Sequence, residues 1–319
     1  MDVSSNVDAI WTAFCDDLPL DLQGQARTLA LALGLVPLSD VPWSKIFRNE
    51  VTLAAPALFA AALPQATEQM VMTATTAHML AVIAAFTTDR LLDRQVDSNP
   101  QILRVLDHVR LERDRAICEL TGSEVSPYLD AEYGALCAIN TERILLCHGI
   151  ALSFSDYSNL SLAKQAVAFP ASLALARVAG ETLRHKRAIE RVLRGIVLGL
   201  QFHDDVMDWE DDWNKDGAWA VSLSRGLGIR ESVSRDGKPN IEPVRRLVHR
   251  SGVLVSMMTM SRWRYRMASR LAGLLGADRL SRWAREQEVT AAELAERESG
   301  SAGYVVRAHK LSNWATEVL

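Results

Sequence analysis

The chain has 319 residues, of which 49% are hydrophobic and 23% are charged, so it is long enough to bury a large core. Its formal net charge of −4 gives no overall electrostatic case for binding nucleic acid. No terminal run has the layout of a secretory signal, and the most apolar windows, residues 51–63 and 77–86, are too short or too interrupted to predict stable membrane insertion.

The pattern predicts helices almost throughout, because alanine, leucine and arginine are abundant and alternating β-branched runs are missing. In chain order the predicted helices cover residues 8–35, 43–63, 67–97, 102–121, 128–148, 160–183, 187–213, 244–275 and 277–297. Pro19, Pro56 and Pro170 predict breaks or kinks within them. Residues 226–243 are rich in glycine, serine and charge, which predicts the one clear loop, and residues 300–303 introduce a short tail. No linker divides the chain, so we expect a single all-α domain over residues 1–319.

The cysteines point to a reducing compartment. Cys15, Cys118, Cys137 and Cys147 show neither CxxC nor metal-finger spacing. We therefore expect reduced thiols in a cytoplasmic protein.

A row of carboxylates ends the predicted helix of residues 187–213. The apolar residues before it recur at spacings of three and four and mark a buried stripe: Ile189, Leu193, Ile196, Val197 and Leu200. The same steps reach Asp204, Asp208 and Asp212, which stack on one helix face. Like charges at this spacing cost about 0.2–0.5 kcal/mol per pair. We therefore expect a cation to neutralise the row; the alternative is a solvated acidic helix end that has left the stripe.

Another row, the first in chain order, lies in the predicted helix of residues 67–97. One face of this helix continues at the same spacing to Asp89, Asp93 and Asp97. An arginine follows each of the first two aspartates, so an ordinary solvated face of paired charges is an equally good interpretation of this row alone.

Two such rows in one all-α domain favour magnesium. Mg²⁺ demands near-octahedral oxygen coordination and usually takes one or two carboxylates plus phosphate oxygens of a substrate. Two facing carboxylate rows can hold a cluster of Mg²⁺ ions with a diphosphate completing the shells, so that a carbon–oxygen bond ionises. A di-iron bundle is less favoured because it needs Glu-x-x-His pairs on several helices.

The carboxylate row at the end of residues 187–213 resembles a known motif. Gly199-x-Gln201-x-x-Asp204-Asp205-x-x-Asp208 is similar to the second aspartate-rich motif of the trans-isoprenyl diphosphate synthases, with the usual Phe-Gln order exchanged.

Two earlier segments resemble other motifs of the same family. The run from Asp89 to Asp93 is similar to its first Asp-Asp-x-x-Asp motif, with Arg90 at the second position. Trp43-Ser44-Lys45-Ile46-Phe47-Arg48 is similar to its Gly-Lys-Arg-x-Arg-Pro segment, with Lys45 and Arg48 kept.

The resemblance implies the class I terpenoid synthase superfamily. It implies an isoprenoid synthase fold of about ten or more helices around an apolar cavity, a prenyl diphosphate substrate, three Mg²⁺ ions and a homodimer. The implied metal ligands are Asp89, Asp93, Asp204, Asp205, Asp208 and Asp212, and the implied catalytic residues are Asp89, Asp93, Asp204 and Asp208.

Cations and aromatic side chains near these motifs are candidates for binding the two ends of the substrate. Candidates for the diphosphate are Lys164, Arg177, Lys215 and Arg225, each of which could equally be a solvated surface charge. Candidates for the cavity wall are Phe86, Phe169, Gln201, Phe202 and Trp209, with core packing as the alternative role. Trp213 and Trp219 could cap the site or pack against the loop.

Departures from the family pattern decide between reactions. Arg94-Gln95-Val96 follows Asp93 where chain-elongating members have Arg-Arg-Gly, and Ile46 replaces the central arginine of the early segment. These changes weaken the second diphosphate site, so we expect a terpene synthase that cyclises a linear C15–C25 prenyl diphosphate, such as geranylgeranyl diphosphate. The alternatives are a prenyltransferase, either elongating or coupling two chains, and a non-catalytic regulatory subunit of one.

Overall fold

The computed structural model describes residues 3–38, 41–47, 49–97, 99–215, 217–228 and 241–302. Regular structure in this part of the chain is entirely helical, as predicted. The helices are α1 (Val3–Asp17), α2 (Leu20–Arg27), α3 (Leu29–Ala32), α4 (Trp43–Ile46), α5 (Glu50–Phe59), α6 (Glu68–Leu92), α7 (Pro100–Thr121), α8 (Tyr128–Cys147), α9 (Phe154–Lys164), α10 (Pro170–Val178), α11 (Leu183–Met207), α12 (Trp209–Lys215), α13 (Trp219–Gly226), α14 (Ile241–Ser251), α15 (Val253–Leu275) and α16 (Asp278–Ala302). Short 3-10 turns lie at Ala60–Ala62 and Ala166–Ala168.

One compact unit consists of Met1–Leu136, Ala163–Leu193 and Arg270–Ser281. Its central helix is α6, which packs against α5, α7 and α10. Small side chains on α6 allow close packing there, since Ala77 and Ala81 are buried together with Ile117 of α7 and Ala171 of α10. The unit therefore holds the first aspartate row at the end of its central helix.

Length and composition alone would allow α6 to cross a membrane. Among the described helices it is the only one long and apolar enough, with a mean hydropathy of 1.6 over its most apolar 18-residue window. By length and composition, residues 77–86 therefore belong to a stretch that is long enough to span a membrane, which corrects the expectation that they were too short or too interrupted. Because 61% of that window is buried inside the protein, α6 packs as a core helix.

The other compact unit consists of Cys137–Leu162, Arg194–Ser269 and Arg282–Leu319. Its core is rich in aromatic side chains from α9, α11, α12, α13 and α15: Tyr157, Phe202, Trp209, Trp213, Trp219 and Tyr265. α15 approaches α11 closely at Gly199, where a Cβ atom would lie 2.7 Å from Cε1 of Tyr265. Glycine is required at this point because any side chain would displace the phenol ring.

The first aspartate row is shorter than the sequence predicts. α6 ends at Leu92, not at residue 97, and Asp93 is its C-terminal cap. Arg94 adopts a left-handed φ of 53°, and the amide of Gln95 donates to the carbonyl of Arg90 over 3.0 Å. This is a Schellman-type ending built without glycine. Asp97 therefore does not continue the helical face, and only Asp89 and Asp93 remain at its end.

Other predicted helices are divided in the structure. Residues 187–213 form α11 and α12, which Asp208 separates, and residues 244–275 divide at Gly252, whose φ is 66°. The predicted break at Pro170 is confirmed, since α10 begins there after a 3-10 turn. The kink predicted at Pro56 appears two residues earlier, at Ala54 with φ −137° and ψ 28°, because the proline ring disturbs the preceding turn.

Some predictions lie partly or wholly outside the described residues. The predicted loop of residues 226–243 begins where α13 ends, but residues 229–240 are not described, and α14 already begins at Ile241. The predicted tail lies outside the described part after Ala302, and Arg48 is also outside it.

Candidate functional site

The first aspartate row lies on the last turn of α6 and at its cap. One carboxylate oxygen of Asp89 is inaccessible to solvent and has no hydrogen-bond partner within the described part of the chain. The nearest cation is Lys164, at the end of α9, whose Nζ lies 3.9 Å from Oδ1 of Asp89. The carbonyl end of a helix carries partial negative charge, so two aspartates there add to an existing negative potential. This end of α6 therefore favours a cation.

Arg90 does not point its charge at the carboxylates. Its Nη1 donates to the backbone carbonyl of Leu33 over 2.9 Å, and the Cβ position of Gly34 lies 3.6 Å from the same nitrogen. The arginine at the second motif position thus fastens the end of α6 to the turn after α3. It does not neutralise the row, contrary to the solvated-face alternative for this residue.

The donor set fits a hard divalent cation. A buried carboxylate oxygen with no donor costs free energy unless a cation meets it, and carboxylate oxygens are what Mg²⁺ and Ca²⁺ bind. Among the described residues no group of three or more His, Cys, Asp or Glu side chains forms a complete metal cage. A site of this kind needs oxygen ligands from water or from a phosphate-bearing molecule.

Phe86 and Lys45 lie near the same end of the unit. Phe86 is one turn before Asp89 on α6, and its partly exposed ring lies 4.8 Å from that of Phe47, centroid to centroid. Lys45, on α4, is exposed. The Phe47–Phe86 contact therefore places an aromatic pair one turn before Asp89.

The second row keeps its turn spacing across the gap between α11 and α12. The amide of Asp208 donates to the carbonyl of Asp204 over 3.0 Å, and the amide of Asp212 donates to that of Asp208 over 2.9 Å. Asp204 and Asp208 are exposed, and Asp212 is half-buried. Of the three aspartates predicted to share a face, Asp204 lies on the last turn of the 25-residue α11, Asp208 lies between the two helices and Asp212 lies on α12.

Asp205 has surroundings unlike those of its neighbours. It is buried, and its carboxylate accepts hydrogen bonds from the hydroxyl of Tyr157 and, over 3.0 Å, from Nε2 of Gln201. Burial, with the charges of Glu142 and Asp204 adding to it, raises the pKa of Asp205 well above the usual range. The two adjacent acids of the motif therefore differ in their surroundings: Asp204 is exposed, whereas Asp205 is buried and anchors α11 to α9.

The buried network continues beyond Asp205. Tyr157 packs edge-to-face on Trp219 with ring centroids 4.9 Å apart, and Nε1 of Trp219 donates to Glu142 over 2.7 Å. Burial, followed by the charge of Asp205, raises the pKa of Tyr157, so this phenol stays protonated and donates. Sequence reasoning did not find Tyr157, because 48 residues separate it from Asp205 and no local spacing links them.

Two of the four aromatic candidates for a cavity wall are core residues. Phe202 is fully buried against Tyr157, and Trp209 is buried beside His249, with ring centroids 4.7 Å and 6.4 Å apart respectively. Trp213 and Trp219 are buried in the same cluster. Gln201 is half-buried and engaged with Asp205. Phe86 remains the exposed aromatic candidate next to an aspartate row.

The predicted diphosphate cations have different surroundings. Lys164 faces Asp89. Arg225 donates from Nη1 to the carbonyl of Gly149 over 2.5 Å, which fastens α13 to the end of α8, and Lys215 is exposed at the end of α12. Arg177 lines a groove with Phe169, and neither Asp89 nor Lys164 lines it.

Comparison with solved structures gives the same all-α fold. The chain is 16% identical to a polyprenyl synthetase from Streptomyces coelicolor A3(2), with a TM-score of 0.67 over 89% of this chain and 97% of that one. It is 15% identical to a geranylgeranyl pyrophosphate synthase from Lactobacillus brevis ATCC 367, with a TM-score of 0.68 over 89% and 96%. A polyprenyl synthase from Caulobacter crescentus CB15, solved with calcium and isoprenyl diphosphate, is 16% identical, with a TM-score of 0.65 over 90% and 94%.

No protein-family model matches the sequence, and no curated protein matches it. At these identities the solved structures establish the fold. The isoprenoid synthase fold expected from the aspartate motifs is confirmed.

Proposed function

We propose that this protein is a Mg²⁺-dependent prenyltransferase that ionises a linear allylic prenyl diphosphate and joins its prenyl group to a second prenyl substrate. The observation that carries the proposal is the buried, hydrogen-bond-deficient oxygen of Asp89 at the carbonyl end of α6, with Lys164 beside it. The names of the solved proteins with this fold, which are polyprenyl and geranylgeranyl diphosphate synthases, support prenyl transfer over the cyclisation expected from sequence.

The proposed reaction assigns a different role to each group of residues. Asp89 and Asp93 on one helix end, and Asp204, Asp208 and Asp212 on another, would hold Mg²⁺ through carboxylate oxygens. Mg²⁺ held by these carboxylates would supply positive charge for the departing diphosphate, which would ease cleavage of the carbon–oxygen bond. Lys164 would donate to a diphosphate oxygen, and Phe86 would present its ring face to the allylic cation. Asp205 and Tyr157 would hold the end of α11 in place.

Cyclisation is the second candidate, and one observation favours it. Nη1 of Arg90 is engaged with the carbonyl of Leu33, and Ile46 cannot replace the arginine of the early segment, so a second diphosphate would find fewer donors here. The ionised chain would then be captured by its own double bonds, and the cyclic cation would lose a proton to give a hydrocarbon or add water and lose a proton to give an alcohol.

A substrate panel tests both candidates. Purified protein is incubated with Mg²⁺ and C10, C15, C20 or C25 prenyl diphosphates, with and without isopentenyl diphosphate, and both pyrophosphate and organic products are measured. Prenyl transfer predicts a longer diphosphate only when a second prenyl substrate is present. A cyclic product from a single substrate would select the second candidate. No pyrophosphate under any condition, with a known synthase active in parallel, would reject both and favour the regulatory subunit.

A further inference from the structure

A groove in the compact unit that contains α6 is not used by the proposed reaction. Its volume is about 560 Å³, and its walls come from the turn after α7, from α10 and from the start of α11. This volume lies in the usual range for sites that take one small molecule. No residue of α6 or α9 lines the groove, so the helices that carry Asp89 and Lys164 do not contribute to it.

The floor of the groove is apolar. Phe169, Pro170 and Leu173 line it, and each is only partly covered by protein. Two large apolar side chains on its walls are strongly exposed: Val125 at 67% and Leu183 at 60%. A concave surface with this much uncovered apolar area is stabilised by an apolar ligand that displaces water from it.

Three cations line the same groove. Arg177 comes from α10, and Lys186 and Arg187 come from the second turn of α11. The first turn of α11 contains no acid, and Glu190 is the one acid that the described lining of the groove includes. Cations near the amino end of a helix add to its positive partial charge, so this end of α11 favours an anion. The cluster is unexpected in a chain with a net charge of −4.

We propose that this groove binds one amphiphile that combines an apolar chain with a phosphate or diphosphate head. The chain would lie along Phe169 and Leu173, and the head would accept hydrogen bonds from Arg177, Lys186 and Arg187, as phosphate oxygens do from guanidinium and ammonium groups. This inference reassigns Arg177 and Phe169 from the substrate site to a separate one. It does not depend on the proposed function, because it uses neither aspartate row.

Calorimetric titration of the full chain with dodecyl phosphate, below its micelle concentration and in EDTA, tests the proposal. One molecule is expected to bind per chain. The double variant Lys186→Glu/Arg187→Glu should weaken binding by at least about tenfold, since two charge-assisted contacts become repulsive. The control Arg282→Glu/Arg285→Glu makes the same charge change on exposed positions of α16 and should bind as the wild type does. Equal affinity of wild type and groove variant would overturn the proposal.

Further titrations measure separately what the apolar chain and the phosphate head contribute to binding. Dodecanol and inorganic phosphate should each bind at least about tenfold more weakly than dodecyl phosphate, because each lacks one half of the recognised structure. If inorganic phosphate bound as tightly as dodecyl phosphate, the proposal that the groove recognises an apolar chain would be overturned. Binding to vesicles of anionic phospholipid without binding of monomeric dodecyl phosphate would overturn the single-ligand proposal in favour of a membrane surface. Val125→Ser changes an exposed residue and so spares the fold. It should weaken the binding of dodecyl phosphate without affecting the binding of inorganic phosphate.

The test is independent of catalysis. Asp89→Asn should abolish pyrophosphate release from a prenyl diphosphate yet bind dodecyl phosphate as the wild type does. If Asp89→Asn also lost dodecyl phosphate binding, the ligand would be occupying the aspartate site, and the separate groove would be rejected.

Discussion

Asp89 differs from every other aspartate of the two rows in having a buried oxygen with no hydrogen-bond donor among the described residues, although Nζ of Lys164 lies 3.9 Å from it. Asp205, which lies next to the second row, is more deeply buried but accepts hydrogen bonds from both Tyr157 and Gln201. Burial alone therefore does not identify a metal ligand. The absence of a hydrogen-bond partner among the described residues is the property that makes Asp89 the better candidate.

Replacement of Asp89 by asparagine should remove activity. The asparagine side chain has the size of the aspartate but lacks the charge that holds Mg²⁺, so we expect pyrophosphate release to fall by about 100-fold or more. The matched control is Asp107→Asn, on an exposed position of α7. Release within about twofold of wild type for Asp89→Asn would remove this carboxylate from the mechanism.

His78 should make stability fall in weak acid. Its ring is buried on α6, Nε2 contacts the carbonyl of Thr52 at 3.0 Å, and burial lowers the pKa of His78 to about 4. The unfolded chain binds a proton at about pH 6.5 that the folded chain does not accept until about pH 4. Between these values this group makes the free energy of unfolding fall by up to about 1.4 kcal/mol for each pH unit of acidification.

Urea unfolding of wild type and His78→Gln at pH 7.0 and pH 5.0 measures this contribution. The glutamine amide can still donate to the carbonyl of Thr52 but does not titrate, so the variant should lose less stability between the two pH values. An equal loss in both proteins would show that His78 is not the group responsible.

At the scale of helices, the sequence predicted which segments are helical and where most of them begin. It did not predict where the helices that carry the candidate site end. The spacing of apolar residues located α6 and α11, and Pro170 marked the break before α10. The early end of α6 depends on Arg94 taking a left-handed conformation, which arginine rarely adopts and no sequence signal announces. The motif resemblance implied that Asp205 is a metal ligand, but no sequence pattern could show its hydrogen bond with Tyr157, which only tertiary packing brings near.

The close approach of α11 and α15 at Gly199 can be tested with alanine. A Cβ atom there would lie 2.7–3.0 Å from three ring carbons of Tyr265, so the ring or the helix must move. Gly199→Ala should lower the free energy of unfolding by about 1–3 kcal/mol, although alanine is the better helix former.

Gly24→Ala is the matched control for this helix contact. Nothing lies within 4 Å of its Cβ position on α2, so here the higher helix propensity of alanine should raise stability by about 0.5–1 kcal/mol. Urea unfolding of the two variants should therefore shift in opposite directions. Shifts of the same sign would mean that α15 yields to the added methyl group.

For the whole molecule, the fold was predictable and the reaction was not. Two aspartate rows in an all-helical chain were enough to expect the isoprenoid synthase fold, which the solved structures confirm. Cyclisation was inferred from missing residues of a second diphosphate site. That inference is weaker, because other side chains can bind a diphosphate and sequence spacing does not reveal which ones the fold brings together.

Ligand binding should be visible in the stability of the whole chain. If Mg²⁺ and pyrophosphate bind the folded protein together, a concentration 100 times the dissociation constant adds about 2.7 kcal/mol to the free energy of unfolding. We expect a rise of about 5 °C in the thermal midpoint with both, and little change with either alone or after EDTA. The variants Asp89→Asn and Asp204→Asn should lose this rise. The same rise in both variants would show that pyrophosphate binds elsewhere.

The apolar character of α6 also matters while the chain is being made. When the ribosome has released α6 but not yet α7 or α10, only α5 among its main packing partners exists. At that moment a nascent chain displays an 18-residue stretch with a mean hydropathy of 1.6, which a bilayer or a chaperone can bind before its own later helices arrive. Fragments cut shortly after Leu92 should therefore be recovered with detergent or in aggregates, whereas fragments that extend past Val178 contain all three covering helices.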